Sequence, residues 1–317
     1  MKVLVLGGTG FLGSNLVHKL LQAGYEVGVY GKSSIKTNPY LKNIIHEIEY
    51  IQRDFQLENH FDEILEGYDY IYHLISPSVP SLNNPLLDIN NSIIPSVKLF
   101  EAAIKLQVKK VIYFSSGGTV YGIPSQIPIH ETDSTTPISA YGVQKLTIEK
   151  YLNYYNYIYG LPFEILRISN PFGPGQRAFS NQGIIANVLG NHFNNKISKI
   201  WGDGKAVRDY VYVDDVIDAA IKVIHNKSKI HTFNIGSGVG LSVNMVLSIM
   251  ERILGTNIFK EYIPAHKQDV PVNVLDISIA EKYLEWTPNI SFEDGIKKMI
   301  CSWNPLTNCF EESKRKE

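Results

Sequence analysis

The chain has 317 residues, 44% hydrophobic and 19% charged, which suits one large globular body or two fused ones. The 30 Lys and Arg nearly cancel the 31 Asp and Glu, so there is no electrostatic footprint for nucleic acid or an anionic membrane. No apolar run approaches a membrane span, and Cys301 and Cys309, both near the C-terminus, frame no disulfide scaffold.

Met1 to Gly7 meets glycine too early for a secretory signal peptide, and the expected compartment is the cytoplasm. Val3–Leu6 reads as a strand. Gly7-Gly8-Thr9-Gly10-Phe11-Leu12-Gly13 follows and opens a helix expected near 12–23, which Gly24 stops. Glycine serves three purposes in such a loop. It permits a tight turn, lets a pyrophosphate approach the backbone, and lets the helix pack close to the strand. The helix N-terminus then offers free N–H groups and a positive dipole end to phosphate. Strand, glycines, helix and second strand in this order predict a dinucleotide site.

Glu26–Tyr30 reads as the second strand. A strand serving NAD usually ends in Asp or Glu, which binds the ribose hydroxyls. Here Gly31 is followed by Lys32, Ser33 and Ser34. Lys32 is a candidate cofactor contact, and NAD versus NADP stays open. Gly31-Lys32-Ser33 is not the end of a P-loop, because Glu26 stands where that motif needs its first glycine. Further on, Tyr70–Leu74 and Lys110–Ser115 read as strands, with helices near 58–66, 96–107 and 141–159. This alternation predicts an α/β fold with a doubly wound parallel sheet. After about residue 170 the pattern loosens into Pro-, Gly- and Asn-bearing loops around helices near 182–194, 214–225 and 242–254. Residues 1–170 are expected to bind the dinucleotide. Residues 171–317 are expected to form a smaller, mixed, mainly substrate-binding region interleaved with the first.

Tyr141-Gly142-Val143-Gln144-Lys145 opens the helix near 141–159. The i, i+4 spacing places Tyr141 and Lys145 on one face. An ammonium beside a phenol favours the phenolate, so the pair is expected to depress the Tyr141 pKa and exchange a proton with a hydroxyl during hydride transfer. No Cys/His spacing for zinc and no G-x-S-x-G elbow occurs, so neither a metal nor a serine nucleophile is expected.

Taken together, these motifs resemble the extended short-chain dehydrogenase/reductase family, in its nucleotide-sugar epimerase/dehydratase branch. The resemblance spans roughly residues 1–300. It rests on the glycine loop, Arg53-Asp54, Ser115 to Gly122, the Tyr141/Lys145 pair, Arg167 to Gly173, Trp201-Gly202-Asp203-Gly204, Arg208 to Asp215, Phe233 to Gly238 and Leu275 to Ser278. It implies that Gly7, Gly10, Phe11, Leu12 and Gly13 cradle the pyrophosphate of NAD or NADP. It implies that Asp54 and Phe55 border the adenine, that Tyr141 and Lys145 are catalytic, and that Asn170 and Arg208 hold the diphosphate of a nucleotide sugar. Arg suits that task, because its planar fork pairs two phosphate oxygens.

The chain departs from the pattern at three places. The usual catalytic Ser or Thr aligns with Gly117, so Ser116 or Thr119 must substitute, and Thr119 is chosen as catalytic and substrate-contacting. An expected Arg three residues before Asp269 is His266, beside Lys267. Gly31 replaces the ribose carboxylate. The Asp-Glu pair of the branch's dehydratases is Gly118 and Thr119 here, which argues against water elimination. The favoured activity is 4-epimerisation of a UDP- or dTDP-linked hexose. The alternative is NADPH-dependent 4-keto reduction of a nucleotide-linked 6-deoxysugar, and a non-catalytic dinucleotide-binding module stands behind both. A homodimer is expected through the helices near 96–107 and 141–159, whose apolar positions include Val97, Phe100, Ile104, Val108, Leu146, Ile148, Leu152, Tyr155 and Tyr159.

Overall fold

The computed structural model describes residues 1–78, 84–179, 183–265 and 269–303. The first half runs β1 (Lys2–Leu6), α1 (Phe11–Gln22), β2 (Glu26–Gly31), β3 (Ile48–Gln52), α2 (Phe61–Leu65), β4 (Tyr70–His73), α3 (Pro85–Asp88), α4 (Ile94–Lys105), β5 (Lys110–Ser116), α5 (Ala140–Tyr159) and β6 (Phe163–Ile168). The second runs β7 (Asn170–Phe172), α6 (Ile184–Phe193), β8 (Ser198–Trp201), β9 (Val207–Tyr212), α7 (Val213–Ile224), β10 (Thr232–Ile235), β11 (Gly240–Ser242), α8 (Val243–Leu254), β12 (Lys260–Ile263), β13 (Val272–Asn273), α9 (Ser278–Leu284) and α10 (Phe292–Trp303).

Seven strands form one sheet in the order β10-β6-β5-β4-β1-β2-β3, every pair parallel. The order reverses at β1, so a crevice opens beyond the carboxyl ends of β1 and β4. Successive side chains of a strand point to opposite faces. Accordingly Val3 and Val5 join α1 and α7 in one apolar cluster, while Leu4 and Leu6 join α4 and α5 in another. Each fully buried aliphatic side chain contributes about 1.5–3 kcal/mol. Burial on both faces explains why the strands read as continuous apolar runs.

Three strands of this sheet escape the apolar-run reading. In β6 all six residues are buried, but Glu164 and Arg167 interrupt the pattern. Their charges are matched by distant partners: Lys110 Nζ lies 3.0 Å from Glu164, and Glu149 lies 2.7 Å from Arg167. The edge strand β3 is half-exposed, and β10 is only four residues long. The helix expected near 96–107 is also longer. It begins at Pro85 and passes through a π turn at Ile89–Ile93 before α4. Pro95 falls in the first turn of α4, where its missing N–H is tolerated.

The smaller region is mixed. In it β9 pairs in parallel with β7 and β13 and antiparallel with β11, and β8 with β12 makes a separate parallel pair. Its chain is not separate from the first half, because β10 completes the seven-stranded sheet against β6. Among the described residues, no helix is long and apolar enough to cross a membrane. His266, Lys267 and Cys309 lie outside the described residues.

Candidate active site

A cavity of about 610 Å³ runs from the glycine loop, across the carboxyl ends of β4, β5 and β6, to Arg208 on β9. It brings together Gly7, Gly10, Phe11, Leu12, Gly13, Thr119, Tyr141, Lys145, Asn170 and Arg208. Lys32, Asp54 and Phe55 do not line it. The Phe55 ring is buried between Phe61 and His73, at 5.5 and 5.1 Å. Lys32 is exposed, and its Nζ sits 4.0 Å from Asp54 Oδ2.

The loop fits a pyrophosphate on steric and electrostatic grounds. A Cβ on Gly13 would meet the Gly7 carbonyl oxygen at 2.2 Å, so helix and loop approach as only glycine allows. No side chain caps α1, whose N-cap is Gly10, so its first N–H groups are left for an anion. Gly31 is equally constrained. A Cβ there would lie 2.9 Å from Thr9 Oγ1, and Tyr50 OH donates to the Gly31 carbonyl at 3.0 Å. A side chain at Gly31 would press on that of Thr9, and the charged groups that flank this strand end, Lys32 and Asp54, lie 4.0 Å apart.

Helix α5 starts where Ser139 Oγ accepts the Gly142 N–H at 3.2 Å, and it ends at left-handed Gly160. That cap fixes the first turn, which carries Tyr141. Lys145 is buried; its Nζ donates to the Phe114 carbonyl at 2.8 Å and lies 5.7 Å from the Tyr141 ring centre. Burial pulls the Lys145 ammonium down to about 7, against the opposing charge of Glu149. Burial pushes the Tyr141 phenol up to about 12; the Ser76 hydroxyl opposes this and the Asp88 charge adds to it. The expected depression of the phenol pKa is therefore corrected: in this enclosed site desolvation sets the direction, and the Lys145 ammonium is not among the groups that offset it.

Thr119 Oγ1 is buried with no hydrogen-bond partner, although the residue lines the cavity. A Cβ at Gly117 would lie 2.5 Å from Leu275 Cδ1 and 3.0 Å from the Arg167 carbonyl oxygen, so a side chain there would displace Leu275. Arg208 makes no ion pair with Asp203 or Asp209. Its Nη1 donates to the carbonyls of Val207 (2.9 Å) and Pro271 (3.5 Å). Asp203 pairs with Lys205 at 3.0 Å. Asp209 is fully buried and accepts from Ser237 N and Oγ, Gly238 N, Leu275 N and Ser169 Oγ. Asn170 spends its amide N–H on the Asp209 carbonyl at 3.0 Å. The Asp209 carboxylate thus ties β9 to Ser169 just before β7, to the Ser237–Gly238 turn and to Leu275.

Sequence reasoning passed over Ser76, Ser78, Gln176 and Asp269, all of which line the cavity. Ser76 and Ser78 follow β4 at the switch point, a position that alone marks a ligand-facing loop in such a sheet. Among the described residues no cluster of His, Cys, Asp and Glu suits a metal ion.

A glycine-cradled crevice beside a half-buried tyrosine and a buried lysine defines a dinucleotide-dependent enzyme of the extended short-chain dehydrogenase/reductase type. Residues 3–236 match the NAD dependent epimerase/dehydratase family, and the chain belongs to that family. Its cofactor is accordingly a nicotinamide dinucleotide and its substrate a nucleotide sugar. The chain is 32% identical to a putative UDP-glucose 4-epimerase of Methanocaldococcus jannaschii, across 96% of this chain and 99% of that protein. It is 28% identical to dTDP-4-dehydro-6-deoxyglucose reductase of Escherichia coli, across 95% and 96%. The crystal structure of UDP-glucose 4-epimerase from Thermotoga maritima with UDP-glucose matches with a TM-score of 0.90 at 34% identity, covering 96% of this chain and 99% of that one.

Proposed function

We propose that the protein is a nucleotide-sugar 4-epimerase acting on a UDP- or dTDP-linked hexose. The observation that carries this reading is one continuous cavity that joins the glycine loop, Tyr141 and Arg208. Gly7, Gly10, Phe11, Leu12 and Gly13 hold the cofactor pyrophosphate. Lys32, Asp54 and Phe55 shape the adenosine end from outside the cavity lining. Arg208, with the second amide N–H of Asn170, holds the sugar's diphosphate end. Residues 1–170 then carry the cofactor and 171–317 mainly the substrate.

When bound, the nicotinamide supplies a hydride acceptor and donor at C4. Tyr141 takes the C4 hydroxyl proton, and Lys145 stabilises the charge left on the phenol oxygen. Thr119 Oγ1 donates to or accepts from the same C4 oxygen, which accounts for its lack of a protein partner. The 4-keto sugar turns, regains hydride on its other face and takes the proton back from Tyr141, so no net oxidation occurs. Among the described lining residues the one carboxylate is Asp269, at the Arg208 end. Elimination of water beside Tyr141 therefore lacks an acidic residue.

NADPH-dependent 4-keto reduction is the second reading, and exposed Lys32 favours it as a partner for a 2′-phosphate. Mass spectrometry of the cofactor released from purified protein separates the two. Retained NAD, with UDP-glucose converted to its C4 epimer without added cofactor, is the epimerase result. An empty site that takes up NADPH and consumes it with a 4-keto sugar is the reductase result, and it would overturn the first reading.

Thr119→Val keeps the shape and removes the hydroxyl. It is expected to cut kcat by at least about tenfold with little change in thermal melting, since Oγ1 holds nothing in the fold. A wild-type kcat would transfer the role to Ser116.

We also propose a cytoplasmic homodimer through α4 and α5. Ile148, Leu152, Tyr155 and Phe100 are not part of that surface, because they are buried within the subunit. Tyr151, Tyr154, Ile158 and Tyr159 remain exposed on α5, as does Ile94 at the start of α4. These exposed apolar and aromatic side chains favour a covering partner. Light scattering at micromolar concentration should give twice 35.7 kDa, and a single species at 35.7 kDa would remove the dimer.

A further inference from the structure

We propose that Glu149 is a positioning residue for the catalytic pair: clamped by Arg167 and Ser115, its carboxylate keeps Lys145 charged beside Tyr141. The proposal rests on the roles given above to Tyr141 and Lys145. Positions 145 and 149 are one helical turn apart on α5, so they share a face, and both are buried. Arg167 on β6 grips Glu149 through Nε, 3.2 Å from each carboxylate oxygen, and through Nη2, 2.7 Å from Oε2. Ser115 on β5 donates to Oε1. Arg167 Nη1 reaches onward to Tyr121 OH at 2.9 Å and to the Glu131 carbonyl at 3.1 Å. Tyr121 OH in turn donates to Asn234 on β10 at 2.7 Å. The carboxylate thus has one orientation, set by three strands of the central sheet.

A buried ion pair of this kind is often no more stabilising than apolar side chains of the same volume. Its place beside Lys145 calls for another account. Burial drives the Lys145 ammonium toward its neutral form, and Glu149 is the anion that opposes this. The other groups around Lys145 supply no negative charge. His73 on β4 is held neutral by burial, which lowers its pKa to about 3. The phenol of Tyr113 on β5, with its ring centre 4.9 Å from Nζ, is held protonated by burial, as is that of Tyr141. Arg167 is committed to Glu149, and Asp88 on α3 acts on Tyr141.

The charge of Lys145 can be read without turnover. Trace acetylation with acetic anhydride across pH 5–11, followed by peptide mass spectrometry, gives the midpoint at which the Lys145 amine becomes reactive. Glu149→Gln keeps an oxygen acceptor for Arg167 and Ser115 and removes the charge. Its Lys145 midpoint is expected to fall by about one pH unit relative to the wild type. The double variant Glu149→Met/Arg167→Met removes both charges at similar volume and carries the same expectation should the single variant fail to fold. In either folded variant, a midpoint within about 0.3 unit of wild type would overturn the proposal, since a merely structural clamp leaves the lysine's titration unmoved. With UDP-glucose as substrate, the pH at which kcat/KM stops rising should move down by the same amount. A shifted midpoint in a protein that turns over no nucleotide sugar would uphold the role of Glu149 and defeat the epimerase reading alone.

Discussion

Tyr141→Phe is expected to lower turnover by about 10²–10⁴-fold while the chain folds and still binds its dinucleotide. The substitution removes one oxygen from a side chain that lines the cavity at the first turn of α5. That helix stays in place through the Ser139 cap and the buried side chains Ile148, Leu152 and Tyr155. The lost oxygen is the group placed to exchange a proton with the sugar hydroxyl. The direction of the pH dependence follows from the local charges. The free phenol is held near 12 by burial, so its deprotonated form is scarce at neutral pH and becomes commoner as pH rises. Lys145, pulled to about 7, loses its stabilising charge over part of the same range. Activity should therefore fall as pH drops below about 7, where only the phenolate fraction changes, and level off above it, where the gain in phenolate is offset by the loss of ammonium. Steady-state assays of the variant check the claim. Residual activity above about a tenth of wild type would remove Tyr141 from proton transfer.

Arg208→Ala is expected to weaken binding of UDP or dTDP by about 10–150-fold, the equivalent of roughly 1.5–3 kcal/mol for hydrogen bonds between charged groups. The guanidinium is half-buried at the far end of the cavity from the glycine loop; it donates to two main-chain carbonyls, and the Asp269 charge acts on it. Little stability depends on it, because neighbouring Asp209 is satisfied by other donors. The loss should thus appear in titration calorimetry with the nucleotide and leave the melting temperature close to wild type. Unchanged affinity for both nucleotides would take Arg208 out of the site.

The parts of the fold legible in the sequence are those set by local rules. The glycine loop announced itself because close approach and a free helix N-terminus demand glycine at those spacings, and the 2.2 Å clash at Gly13 is the physical form of that demand. The Tyr141/Lys145 pair was equally visible, since i, i+4 spacing on a helix places two side chains together whatever surrounds them. β6 was not visible, because Glu164 and Arg167 look like surface residues until Lys110 and Glu149 arrive from other elements. The surplus apolar face assigned to α5 shrank for a similar reason. Periodicity shows that Ile148, Leu152 and Tyr155 share a side, but not that the chain's own sheet already covers them.

By itself the sequence determined the doubly wound sheet, the glycine loop proposed as the phosphate cradle and the pairing of Tyr141 with Lys145 proposed for proton transfer, because each depends on spacing within a few residues. Tertiary structure decided the rest. It set Thr9 against Gly31 and Leu275 against Gly117, and it left the Thr119 hydroxyl, like that of Ser78, without a partner in the cavity lining. It also raised Tyr141 and lowered Lys145, reversing the expected effect on the phenol. Desolvation depends on every element packed around a group, and no local pattern encodes that sum.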